Sequence, residues 1–83
     1  GYFRWFAQGL AKALPPRGRV LEIACNDGSL LDCLKQEGVS ACGVDPAANL
    51  TRVARSKGHD VMTGFFPATR PEGSFEAIIA MNV

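Results

Sequence analysis

The chain has 83 residues, 47% of them apolar, and a formal net charge of +1. That length allows one small domain, and the apolar fraction is too high for a disordered segment. The near-neutral charge offers no electrostatic basis for binding nucleic acid or an anionic membrane, and no apolar run approaches the ~20 residues of a bilayer span.

The first helix is predicted over residues 2–14, where Phe3, Phe6, Leu10 and Leu14 recur at three- and four-residue steps. Trp5 and its aromatic neighbours read as the stripe that docks this helix. Pro15-Pro16 stops it and Arg17-Gly18 turns the chain into a strand over 20–25. Asn26-Asp27-Gly28 is a turn, followed by a helix over 29–37 that buries Leu30, Leu31 and Leu34 and ends at Gly38. A small-residued strand over 40–45 suits a covered parallel sheet, and Pro46 suits the opening of a helix striped by Leu50, Val53 and Ala54. Gly58 closes that helix. A third strand over 60–63, a Pro/Gly-rich loop over 64–74 and a fourth strand over 75–81 complete the chain.

Alternating strands and helices predict an α/β fold with a parallel sheet, because right-handed crossovers return each strand to the same direction. The fourth strand is apolar enough to demand burial on both faces. The chain is therefore expected to be a truncated half of a longer domain, and its exposed fourth strand a route to self-association. The aromatic start lacks the pattern of a signal peptide, so the expected location is cytoplasmic. Cys25, Cys33 and Cys42 are odd in number and lack C-x-x-C spacing, which argues against a disulfide framework or a metal site.

The chemistry concentrates between Glu22 and Gly28. A β-branched strand stops, the backbone turns through residues that are small or tolerate left-handed dihedrals (Ala24, Asn26, Gly28), and a helix opens. The amides of Asn26 to Ser29 are expected to be available to an anionic group. A second acid, Asp45, ends the next strand about 17 residues after Gly28, as adenosine- and dinucleotide-binding folds require.

The pattern Glu22-x-Ala24-x-Asn26-x-Gly28 resembles the Glu/Asp-x-Gly-x-Gly-x-Gly motif of class I S-adenosylmethionine-dependent methyltransferases, with two glycines replaced. The wording Leu-Glu-Ile-Ala-Cys-Asn-Asp-Gly-Ser-Leu-Leu, then Gly43-Val44-Asp45-Pro46-Ala47-Ala48-Asn49-Leu50, resembles the branch that methylates carbon in nucleotide-linked deoxysugars. The resemblance covers residues 20–83, with Gly64-Phe65-Phe66 and Met81-Asn82-Val83 also fitting. It implies a Rossmann-like, doubly wound sheet of strand order 3-2-1-4. A leading helix and linker would occupy residues 1–18 and a partial S-adenosylmethionine-binding domain residues 19–83.

It further implies roles for single residues. Glu22 would organise the loop and face the cofactor ammonium. Ala24, Cys25, Asn26 and Gly28 would form the cofactor turn. Asp45 would accept both ribose hydroxyls, Pro46 and Phe65 would flank adenine, and Asn82 would bind the methionine portion. The substrate would be a small molecule.

Other readings of the same residues stand beside these. Asp45 also suits a helix cap, Glu22 an exposed edge acid, and Phe65 and Phe66 plain core. Cys25 reads as a small filler rather than a nucleophile, His59 as solvated, and Arg52, Arg55 and Lys57 as a solvated helix face. A nicotinamide-binding dehydrogenase half is the main rival, although a pyrophosphate needs glycine where Ala24 and Asn26 stand. A non-catalytic truncated domain is the third reading. No residue presents itself as a catalytic base, because His59 precedes its strand and sites lie beyond carboxyl ends.

Overall fold

In the computed structural model, which describes residues 1–81, α1 (Tyr2–Ala13) leads into β1 (Arg19–Ile23). They are followed by α2 (Ser29–Gln36), β2 (Ser40–Asp45), α3 (Ala48–Ser56), β3 (Asp60–Thr63) and β4 (Ala77–Ile79). Leu14 already has extended dihedrals, as a residue before proline must, so α1 ends there. α3 opens two residues after Pro46, because the Asp45 carboxylate takes the Ala47 N–H (2.8 Å) and holds a turn ahead of the helix.

The strands lie in the order β3-β2-β1-β4, and every pairing is parallel. Two right-handed crossovers step from β1 to β2 to β3 and place α2 and α3 on one face. The step from β3 back past β1 to β4 runs the other way, so the same handedness lays its connection across the opposite face. The packing follows this rule. Leu30, Leu31, Leu34, Ala54 and the α1 residue Ala7 join Val20 and Val61 in one core, whereas Phe66 and Phe75 pack over Leu21, Cys42 and Val44 in another. The fold is thus Rossmann-like and doubly wound about β1. Four fully buried leucines (Leu21, Leu30, Leu31, Leu34) each contribute about 1.5–3 kcal/mol through removal from water.

Two expectations need correction. Trp5 is 67% exposed and does not dock α1, which packs through Ala7, Phe3, Phe6, Leu10 and Leu14. At 3.6 residues per turn Trp5 stands about 200° around the helix from Phe3, away from that stripe. The fourth strand is also shorter than its apolar run. Only Ala77–Ile79 pairs, with Val20 to Glu22, and Ile78 is 49% exposed. Among the described residues β4 has a strand neighbour on one side only, and the 64–76 connection covers the Leu21 face incompletely.

Candidate functional site

The carboxyl end of β1 delivers the chain into a turn in which every second residue is left-handed: Ala24 (φ 58°), Asn26 (φ 53°) and Gly28 (φ 86°). These are the three positions where the motif has glycine, and the left-handed backbone is present at all three although only Gly28 is a glycine. Asn tolerates this region through its short polar side chain, while Ala24 bears a cost of about 1–2 kcal/mol. Only glycine suits position 28 sterically, since a Cβ there would meet the His59 ring at 2.9 Å and the Ala54 methyl at 3.2 Å.

Three of the turn's four amides are not open to an anion as expected. Asn26 N–H donates to Asp45 Oδ2 (2.9 Å), Gly28 N–H to the Cys25 carbonyl (3.0 Å), and Ser29 N–H to Asp27 Oδ1 (3.1 Å). Asp27 also accepts the Ser29 hydroxyl (2.7 Å), and these bonds hold its carboxyl below the usual range. An acid two residues ahead of the helix was the available signal for this turn. The turn is therefore ringed by carboxylates, which repel a pyrophosphate and favour cationic or hydroxyl-bearing groups.

Asp45 ends β2 at 3% exposure and joins two loops: Oδ2 takes the Asn26 amide and Oδ1 the Ala47 amide. It does not cap α3, whose first residue follows Ala47. Each carboxylate oxygen can accept a second hydrogen bond, so a vicinal diol could be accommodated without breaking the brace. Glu22 is no edge acid. It lies in the middle of the sheet at 0% exposure, opposite Gly43 and Ile79. Burial, then the nearby Asp45 and Asp27 carboxylates, push its pKa up to about 7.

Beside Asp45 opens an apolar cleft of about 240 Å³, lined by Ile23, Ala24, Val44, Pro46, Gly64, Phe65 and Phe66. It lies beyond the carboxyl ends of β1, β2 and β3, where ligands of open α/β sheets bind. Pro46 and Phe65, expected to flank one flat ring, are brought together on it. Phe65 is 74% exposed and is not core, while Phe66 packs against the second core.

Cys25 is placed differently from the other turn residues. Its side chain is 1% exposed and fills the space that a Cβ at Gly43 would need, 2.6 Å from that position. Its thiol pKa is pushed up to about 12 by burial and then by Glu22 and Asp45, which suits the small filler expected of it rather than a nucleophile. Asn82 lies outside the described residues.

One further expectation fails on a tertiary contact. The His59 side chain is 5% exposed, not solvated, and its Nε2 meets Asp32 Oδ1 at 2.5 Å. Arg52, Arg55 and Lys57 are exposed, as expected of a solvated face, although Lys57 pairs with the other oxygen of Asp32 (2.9 Å) and Arg55 donates to the Val61 carbonyl (3.1 Å) and Thr63 Oγ1 (3.2 Å). Asp32 and His59 are 27 residues apart, so no local pattern could have paired them. Among the described residues no helix is long and apolar enough to cross a membrane.

Comparisons with known proteins agree with this geometry. A family model for a methyltransferase domain matches residues 2–83. A search of curated proteins found no match. Among solved structures, DesVI of Streptomyces venezuelae is 21% identical with a TM-score of 0.76, over 95% of this chain and 36% of that one. The S-adenosylmethionine-bound amino pentose methyltransferase CalS10 of Micromonospora echinaspora is 20% identical with a TM-score of 0.77, over 95% and 36%. The sugar N-methyltransferase KedS8 of a Streptoalloteichus species is 20% identical with a TM-score of 0.76, over 95% and 33%. The chain spans about a third of the length of each of these structures, which at such identities share its fold. The match across nearly the whole chain, on a parallel sheet whose strand order reverses at the motif strand, means that the chain belongs to the methyltransferase domain family.

Proposed function

We propose that the chain is the cofactor-binding portion of an S-adenosylmethionine-dependent methyltransferase acting on a small molecule. The observation that carries this reading is the pairing of an apolar cleft with a braced carboxylate at its edge, on a turn whose Asn26, Gly28 and Ser29 amides are already taken. A flat base fits between Pro46 and Phe65, a diol fits Asp45, and the acidic surroundings of Glu22 suit an ammonium. When bound, S-adenosylmethionine supplies an electrophilic methyl group. This chain's part is to hold and orient the cofactor, which is where positional catalysis begins. The carboxylate ring disfavours a dinucleotide, whose pyrophosphate would meet Asp27 and Asp45.

The acceptor we propose is a carbon of a nucleotide-linked sugar or a related small molecule, on the resemblance carried by residues 20–83. Nitrogen is the second reading, favoured by the names of CalS10 and KedS8, an amino pentose and a sugar N-methyltransferase. Residues 1–18 serve as leading helix and linker and residues 19–83 as the partial cofactor domain, in a cytoplasmic enzyme. Self-association through β4 is a corollary that sedimentation at several concentrations checks. Calorimetric titration of the intact protein with S-adenosylhomocysteine and with NAD tests the central reading, and saturable binding of NAD alone overturns it. Asp45→Ala is expected to weaken S-adenosylhomocysteine binding by ~1–3 kcal/mol, the loss of charge-assisted hydrogen bonds.

A further inference from the structure

Beneath the cofactor turn, on the side away from the cleft, three charged or polar side chains that the proposed function leaves unused come together. Gly28 is the joint between turn and helix. Its N–H closes the turn on the Cys25 carbonyl (3.0 Å), and its carbonyl opens α2 by accepting the Asp32 N–H (2.8 Å). The His59 ring lies directly against this joint, with Cδ2 2.9 Å from where a Gly28 Cβ would stand. The ring does not rest there by packing alone. Asp32 holds Nε2 with Oδ1, and Lys57 holds Oδ2 of the same carboxylate at 2.9 Å. The His59 N–H in turn donates to the Ala54 carbonyl (3.2 Å) and ties the ring's own backbone to the end of α3.

We propose that His59 is a positioning residue for the cofactor turn, clamped by Asp32 and Lys57 so that its ring sets the height of Gly28 over the sheet. The inference rests on the cofactor-binding reading for its consequence, though not for its geometry. Gly28 is two residues from Asn26, whose amide is held by Asp45. A shift of the joint therefore passes along the turn to the carboxylate at the cleft. His59 contacts no cofactor in this scheme. It links the end of α3 to the mouth of the site through a single buttressed glycine, and it makes that link with a side chain held by the Asp32 carboxylate.

The experiment compares the intact wild-type protein with His59→Ala, His59→Gln and Asp32→Asn. S-adenosylhomocysteine affinity is measured by calorimetry well below each variant's Tm, and backbone amide exchange is measured without ligand. His59→Ala is expected to weaken binding about tenfold, in line with the sensitivity of sites to small displacements, while His59→Gln, which can still cover Gly28 and reach Asp32, recovers to within about threefold. Exchange at the Gly28 and Asn26 amides should rise about tenfold or more in His59→Ala while β2 amides stay protected. A lowered Tm with affinity and turn exchange both unchanged would reduce His59 to a stability residue and overturn the proposal, as would equal effects of Ala and Gln. If the wild type binds no S-adenosylhomocysteine, the cofactor reading fails and the exchange arm alone decides the role of His59. If His59→Ala does not fold, Asp32→Asn at a half-exposed carboxylate decides it by the same two readouts: raised turn exchange supports the clamp, and unchanged exchange overturns it.

Discussion

Replacing Glu22 by Gln should convert a pH-dependent stability into a flat one. In the folded chain the carboxyl titrates at about 7 against an ordinary 4.5, because it is buried and faces Asp45 and Asp27. Below the lower value Glu22 is protonated in both states and imposes no penalty. Between the two, the unfolded chain has released a proton that the folded chain still holds, so stability falls as pH rises. Above the upper value both states are ionised and the whole penalty is present. At 1.36 kcal/mol per pH unit it amounts to about 3 kcal/mol. Glutamine matches the shape of the protonated acid and does not titrate. Urea unfolding from about pH 4 to about pH 8, with constant m-values, should show the Gln variant gaining about 3 kcal/mol on the wild type across that window. Parallel curves that differ by a constant would mean that Glu22 ionises in the folded state as readily as in water. That result would refute the account of its burial and of its carboxylate neighbours.

Three other outcomes follow from the same geometry. Gly43→Ala should destabilise by about 2 kcal/mol or more in chemical denaturation, since the new methyl would stand 2.6 Å from Cys25 Sγ and 3.2 Å from Leu31 Cδ1 in a packed core. Phe65→Ala should separate binding from stability. Phe65 is 74% exposed, so Tm should hardly move, while S-adenosylhomocysteine affinity falls by about 1 kcal/mol as one wall of the cleft is lost. A stability loss with unchanged affinity would place Phe65 in the fold rather than the site. Binding of S-adenosylhomocysteine near pH 6 should release protons, seen as a dependence of calorimetric enthalpy on buffer, because the ligand's ammonium favours ionised Glu22.

Much of this could be read from residues in a row. The strand that ends at a small, turn-tolerant run, the helix behind it and the acid at the end of the next strand are local patterns, with periodicities of two and 3.6 and dihedral preferences that need no partner. They specified the parallel α/β order and the turn of Ala24, Asn26 and Gly28 with Asp45 at the end of the next strand; the family resemblance added Pro46 and Phe65 to the same edge. Tertiary structure decided what those residues touch. The turn amides went to Asp45, Asp27 and the Cys25 carbonyl because two loops and a helix end converge there, and hydrogen-bond donors close to a carboxylate do not wait for a ligand. Cys25 turned inward because Gly43, on a different strand, leaves room for it. His59 was buried because Asp32, on α2, offers it a partner, and a hydrogen bond between distant residues leaves no trace in local periodicity. The sequence by itself determined the conformation of the motif and the direction of the chain; packing between elements determined its electrostatics, since charge and burial depend on neighbours that only the fold brings together.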